Sequence, residues 1–141
     1  RLRAVPRRPL AAHPRAVTGA ICLAAGLLAV PLGEAITLRW THSIEKIAWE
    51  EDYRLQAGAL HLTEARIRGS GAGMEPPPGA RLADGVWHYR PELPALPKVS
   101  LRHSPHTPSY TVCARGRCQP VGQWLPALPA EAILELRPCR Y

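Results

Sequence analysis

Eight short runs of strand-forming residues, each soon cut off by glycine or proline, restrict this chain to an all-β architecture. They cover residues 36–41, 47–55, 60–68, 86–90, 99–103, 109–113, 117–121 and 132–137. In the first run Ile36, Leu38 and Trp40 alternate with Thr37, Arg39 and Thr41, the signature of a strand with one buried and one wet face. In the last, Leu134 and Leu136 alternate with Glu135 and Arg137. Helical periodicity nowhere outlasts a turn or two. The 16 prolines fall mostly between the runs, where a missing N–H breaks no ladder. With no phenylalanine, Trp40, Trp49, Trp87 and Trp124 must supply much of the aromatic bulk. No internal repeat is present. The predicted fold is one small antiparallel β-sandwich or barrel of about eight strands.

Residues 1–35 read as an export address placed before that domain. Arg1, Arg3, Arg7, Arg8 and Arg15 form a basic run with no acid before Glu34. The apolar stretch 16–32 follows, and Gly33-Glu34-Ala35 offers a small-x-small cleavage pattern. As a helix, that stretch would reach roughly 25 Å, short of a hydrocarbon core of about 30 Å. The expectation is therefore a cleaved signal peptide, with an uncleaved membrane anchor as the alternative. Either places residues 36–141 in the periplasm or otherwise outside the cytoplasm. The net charge of +7 is largely this leader's. The remaining positive residues are scattered singly on strand-like runs, which argues against a nucleic-acid partner.

The cysteines follow the same division. Cys22 falls in the export segment. If Arg115-Gly116 is a two-residue turn, Ala114 faces Arg117 and Cys113 faces Cys118 across a non-hydrogen-bonded pair. That places the two sulfurs within disulfide reach, and an oxidising compartment would close the bridge. Cys139 is left over: free, bonded to another chain, or competing for Cys118. A zinc site of His103, His106, Cys113 and Cys118 has no recognisable ligand spacing, so no metal or other cofactor is expected.

Candidate chemistry gathers at two places. His42 and Ser43 are neighbours after the first run, and adjacent strand side chains point to opposite faces, so they make a poor nucleophile–base pair. In the second run Glu50 and Asp52 should share one face, with Trp49, Glu51 and Tyr53 on the other. A buried carboxylate there would pair with Arg66 or Arg68. The string Gly69-Ser70-Gly71-Ala72-Gly73-Met74 runs into Glu75-Pro76-Pro77-Pro78, which opens no helix, so it is neither a dinucleotide fingerprint nor a phosphate loop. Its glycines permit a cradle of backbone N–H groups for an anion, flanked by Arg66 and Arg68, or simply a close crossover. The candidate ligand-binding set is Trp40, His42, Ser43, Glu45, Arg68, Gly69, Ser70, Gly71, Gly73 and Met74. No catalytic residue is assigned.

The segments WTHSIEKIAWEEDYRL, EARIRGSGAGM, LADGVWHYRP and GRCQPVGQWLP resemble the exported bacterial and archaeal domain of unknown function DUF1850. The resemblance rests on W-x-H-S-x-E, G-S-G-A-G-M and D-G-x-W. Its recurring positions include Trp49, Glu50, Tyr53, Asp84, Gly85 and Trp87 beside Trp40, His42, Ser43 and Glu45. Such proteins are often encoded beside TRAP transporters of the TAXI type. The resemblance implies a non-enzymatic accessory or binding protein of a solute uptake system. Its expected partners are the transporter's receptor or permease and a small anionic solute such as a carboxylate, with the membrane a partner through the N-terminal segment if that stays uncut. The alternatives are a structural β domain that binds its own kind, through Cys139, and a small extracytoplasmic hydrolase using Ser43 or a metal.

Overall fold

The computed structural model describes residues 19–41, 46–68 and 77–140. In chain order these form β1 (Gly19–Ala25), β2 (Leu28–Pro31), β3 (Ala35–Thr41), β4 (Ala48–Gln56), β5 (Ala59–Arg68), β6 (Arg81–Ala83), β7 (Val86–Tyr89), β8 (Val99–His103), β9 (Thr111–Ala114), β10 (Arg117–Pro120), α1 (Val121–Trp124) and β11 (Ala132–Arg140). All strand pairs are antiparallel. One sheet has four strands in the order β2-β1-β11-β8, the other seven in the order β10-β9-β3-β4-β5-β7-β6. Neither closes on itself, so the architecture is the sandwich and not the barrel.

Every run expected to be a strand is one. Three tight hairpins set their register: Ala57-Gly58, Asp84-Gly85 and Arg115-Gly116 each hold both residues at positive φ. That mirror-image turn matches the right-handed twist of the flanking strands, and glycine at the second position enters it without a Cβ penalty. The two sheets bury Ile21, Leu23, Leu101, Leu134 and Leu136 against Ile36, Leu38, Leu60 and Val112. Burial of each such side chain contributes about 1.5–3 kcal/mol. Trp124 closes one end of the core, its indole N–H donating to the Val112 carbonyl at 3.0 Å.

The apolar stretch 16–32 is not a helix where its residues are described. From Gly19 onward the apolar run is β1 followed by β2, joined by a turn at Gly26. β1 lies between β2 and β11 and is buried on both faces. A strand covered on both sides is continuously apolar, and such a run of seven residues resembles a short hydrophobic helix in composition. The domain therefore starts before residue 36, at Gly19 or earlier. Residues 1–18 lie outside the described residues, and among those described no helix is long and apolar enough to cross a membrane.

This placement also changes the cysteine pairing. Cys113 and Cys118 are bonded, directly opposed across β9 and β10 with Cα atoms 3.9 Å apart. Cys139 is not left over: it is bonded to Cys22, across β1 and β11, with Cα atoms 5.7 Å apart. The Cys139 route to a covalent dimer is thus closed. The first bridge joins positions 5 apart and the second positions 117 apart. In the chain-entropy account the short loop gives about 2 kcal/mol and the long one about 5 kcal/mol. The double variant Cys22→Ala/Cys139→Ala is expected to lower the melting temperature well beyond Cys113→Ala/Cys118→Ala. Thermal denaturation of both, without reductant, checks the order.

Candidate functional site

Directly opposed residues of antiparallel strands share a face. On the outer face of the larger sheet one such row runs Thr111, Arg39, Glu50, Arg66, His88 and Arg81, across β9, β3, β4, β5, β7 and β6. A bulge creates it. Tyr53 pairs with Leu62 while Asp52 pairs with Glu64, so Thr63 is the extra residue, its hydroxyl donating to the Asp52 carbonyl at 3.2 Å. The bulge shifts the alternation by one. Leu60 and Leu62 face inward before it, Ala65 and Ile67 after it, and Glu64, Arg66 and Arg68 therefore stand beside Glu50 and Asp52.

Glu50 is only 3% exposed. It accepts from Arg66 Nε at 3.1 Å and from Arg68 Nε, and Arg39 Nε lies 3.7 Å away. Arg66 also grips Asp52 in bidentate fashion, at 2.7 and 2.6 Å, while the Thr37 hydroxyl donates to the same carboxylate at 2.7 Å. Burial alone would raise the Glu50 pKa. The Arg68 and Arg66 hydrogen bonds and the Arg39 charge outweigh it, leaving Glu50 below the usual carboxylate value. Asp52 is lowered in the same way, burial being overcome by Arg66 and Thr37. The hydrogen bond to Asp52 holds Arg66 firmly charged. Both carboxylates are thus engaged by fixed cations, and this lattice ties neighbouring strands together.

The inner face carries the opposite arrangement. Glu51 points inward with Trp49 and Tyr53, as the alternation predicts. The Tyr53 hydroxyl donates to it. Burial raises the Glu51 pKa against that single hydrogen bond. The pKa values of Tyr89 and Tyr110 are raised by burial and then by the Glu51 charge. Trp40 stacks on Trp49 at 6.1 Å between ring centroids and meets Tyr110 at a 52° tilt. The Trp49 indole N–H is buried without a partner among the described residues.

Beside this aromatic end a groove of about 480 Å³ opens, lined by Trp40, Thr41, Arg102, Ser104, His106, Thr107, Pro108 and Tyr110. Trp40 and Thr41 come from β3 in the larger sheet. Arg102 comes from β8 in the smaller one, and Ser104 to Tyr110 belong to the crossover leading to β9. The groove thus presents two aromatic rings and a guanidinium to a small ligand.

Of the ligand-binding set expected from sequence, only Trp40 and Arg68 are described. Trp40 lines the groove. Arg68 does not reach it and is paired with Glu50 on the outer face. His42, Ser43, Glu45, Gly69, Ser70, Gly71, Gly73 and Met74 lie outside the described residues. The strand ends that carry them are adjacent, because Thr41 pairs with Ala48 and Ala48 with Arg68. Of the groove's other residues, His106 was singled out in the sequence only as a metal ligand, and the rest were not: β8 and the loop after it have no local pattern that places them against β3. Only Tyr110, an aromatic at the edge of a strand run, was a usable signal. Cys113 and Cys118 are consumed by their disulfide, which removes the thiol half of a His-Cys metal set.

Residues 36–121 match the family described as domain of unknown function, DUF1850. No curated protein and no solved structure matches the chain.

Proposed function

This chain belongs to the DUF1850 family, and on that premise we propose that it is a non-catalytic, extracytoplasmic accessory protein that binds a small carboxylate solute for a TRAP transporter of the TAXI type. The observation that carries the binding part is the groove beside Trp40. A volume of about 480 Å³ suits a small solute, and its walls pair apolar rings with a cation. Arg102 offers a planar fork for a carboxylate, while Trp40 and Tyr110 pack against the carbon skeleton. Two disulfides fit an oxidising compartment. The transporter part is supported by the gene neighbourhood that the family resemblance implies. Glu50 and Asp52 favour a binding role over hydrolysis, since arginines already occupy both.

Two measurements test the reading. Small carboxylates titrated into the purified oxidised protein are expected to quench tryptophan fluorescence saturably. Trp40→Ala and Arg102→Gln should each weaken that binding at least tenfold, Arg102→Gln without moving the melting temperature by more than a few degrees and Trp40→Ala with a lower one, since Trp40 also stacks on Trp49. Solute uptake by cells carrying the neighbouring transporter is expected to fall when this protein is deleted, and a membrane pull-down should recover a transporter subunit. Unchanged uptake together with an empty pull-down would refute the transporter assignment.

A further inference from the structure

A second groove, of about 450 Å³, lies on the outer face at the β6–β7 edge, lined by Glu64, Pro78, Gly79, Arg81, His88, Tyr89, Arg90 and Glu92. From its residues we infer that this edge groove is a binding site for a small oxyanion, a carboxylate or a phosphate, held by Arg81 and Arg90 with His88 at its floor. It shares no lining residue with the Trp40 groove and does not depend on the transporter reading.

The argument is one of unequal charge along a single cross-strand row. In the middle of the row every arginine is matched: Arg39, Arg66 and Arg68 all lie on Glu50, and Arg66 also holds Asp52. At the edge the matching stops. Arg81 directly opposes His88, so both stand on the same face. Among the described residues neither Arg81 nor Arg90 has an acid within salt-bridge reach. Glu64, the carboxylate at the floor, is already engaged. It lies 2.8 Å from His88 Nδ1 and 3.7 Å from Arg66. Because a carboxylate only accepts, Nδ1 is the donor in that bond. The ring is thereby fixed, and its remaining polar atom is Nε2. The other acid of the lining, Glu92, is exposed.

The groove thus combines two guanidinium groups, suited to bidentate capture of an oxyanion, with an imidazole fixed by a half-buried carboxylate. Pro78 and Gly79 form the opposite rim, and the turn there is held by the Ala80 N–H bonding to the Pro77 carbonyl at 3.0 Å.

The test is calorimetric titration of the full oxidised chain with sodium phosphate and, separately, sodium acetate, at fixed ionic strength with chloride as the background anion. Saturable one-site binding is expected for at least one of the two, and which one binds decides between phosphate and carboxylate. The double variant Arg81→Gln/Arg90→Gln should lose at least tenfold in affinity, whereas Trp40→Ala should leave phosphate affinity unchanged and remove only any additional acetate binding at the Trp40 groove. Both arginines are exposed, so the variant should keep the wild-type melting temperature. A perturbed His88 imidazole resonance on adding the anion would place the ligand. Absence of saturable binding for both anions, or equal affinity in the double variant, overturns the site, and loss of binding in Trp40→Ala would move it to the other groove.

Discussion

A chain that begins at Ile36 is expected not to fold. The cut after Ala35 looks natural in the sequence, yet it removes β1 from between β2 and β11 and leaves β8 and β11 as a two-stranded remnant. Ile21, Leu23 and Leu32, exposed 0%, 0% and 1%, go with it. Their burial contributes roughly 1.5–3 kcal/mol apiece. The Cys22–Cys139 bridge goes as well, at about 5 kcal/mol in the chain-entropy account. Together these losses rival the whole stability of a small domain, about 5–15 kcal/mol. The fragment 36–141 should lack a cooperative thermal transition and bind hydrophobic dyes, while a chain starting at Gly19 melts cooperatively. A milder probe is Leu23→Ala, which should cost about 2–5 kcal/mol in a chain that still folds. If export includes a proteolytic cut, mass spectrometry of the mature protein should place its first residue at or before Gly19. A cooperative melt from the fragment 36–141, with the near-ultraviolet signature of the longer chain, would show that β1 is dispensable.

That expectation turns on the one element the sequence disguises. The eight runs are legible because each is rich in strand-forming residues and bounded by turn residues, and the first and last also alternate with a period of two. The Arg115-Gly116 hairpin is legible down to its disulfide, since a two-residue turn dictates which residues oppose. The facing of Glu50 and Asp52 against Glu51 and Tyr53 is legible for the same reason, and so is the choice of Arg66 and Arg68 as partners. β1 is not. Both its faces are covered, so its sequence has no alternation, and after a run of arginines it looks like a leader. Its partner β11 lies more than a hundred residues away, and no local rule announces that pairing. The bulge at Thr63 left a trace, in the phase break between Leu62 and Ala65. The Trp40 groove left only Trp40 and Tyr110 as traces, because its walls come from strands of two different sheets.

Neighbouring acids of one strand, Glu50 and Glu51, are expected to respond to the same substitution in opposite directions. Glu50→Gln removes a 3%-exposed carboxylate and leaves Arg66, Arg68 and Arg39 crowded around a neutral amide. Breaking a buried, hydrogen-bonded ion pair from one side costs about 3–5 kcal/mol. Asp52 still holds Arg66, so a loss of about 3 kcal/mol is the expected result. Glu51→Gln removes a carboxylate that burial disfavours and that only the Tyr53 hydroxyl supports. The amide oxygen accepts the same hydroxyl, so at neutral pH this variant should match or exceed the parent. The pH profiles separate the two cases. Glu50 and Asp52 have folded pKa values below their unfolded ones. Their contribution is therefore complete above the unfolded values and disappears as pH falls through the folded ones. Glu51 is shifted the other way. Its contribution is complete below the unfolded value and is lost as pH rises through the folded one. The gap between parent and Glu50→Gln should thus shrink on acidification. Any advantage of Glu51→Gln at pH 7 should also vanish toward pH 4, because the parent's own Glu51 becomes neutral there. Urea unfolding of the three proteins from pH 8 down to about pH 2 measures both trends, the Glu50 one below pH 4, and equal destabilisation by the two substitutions at pH 7 would contradict the assignment of one acid to each face.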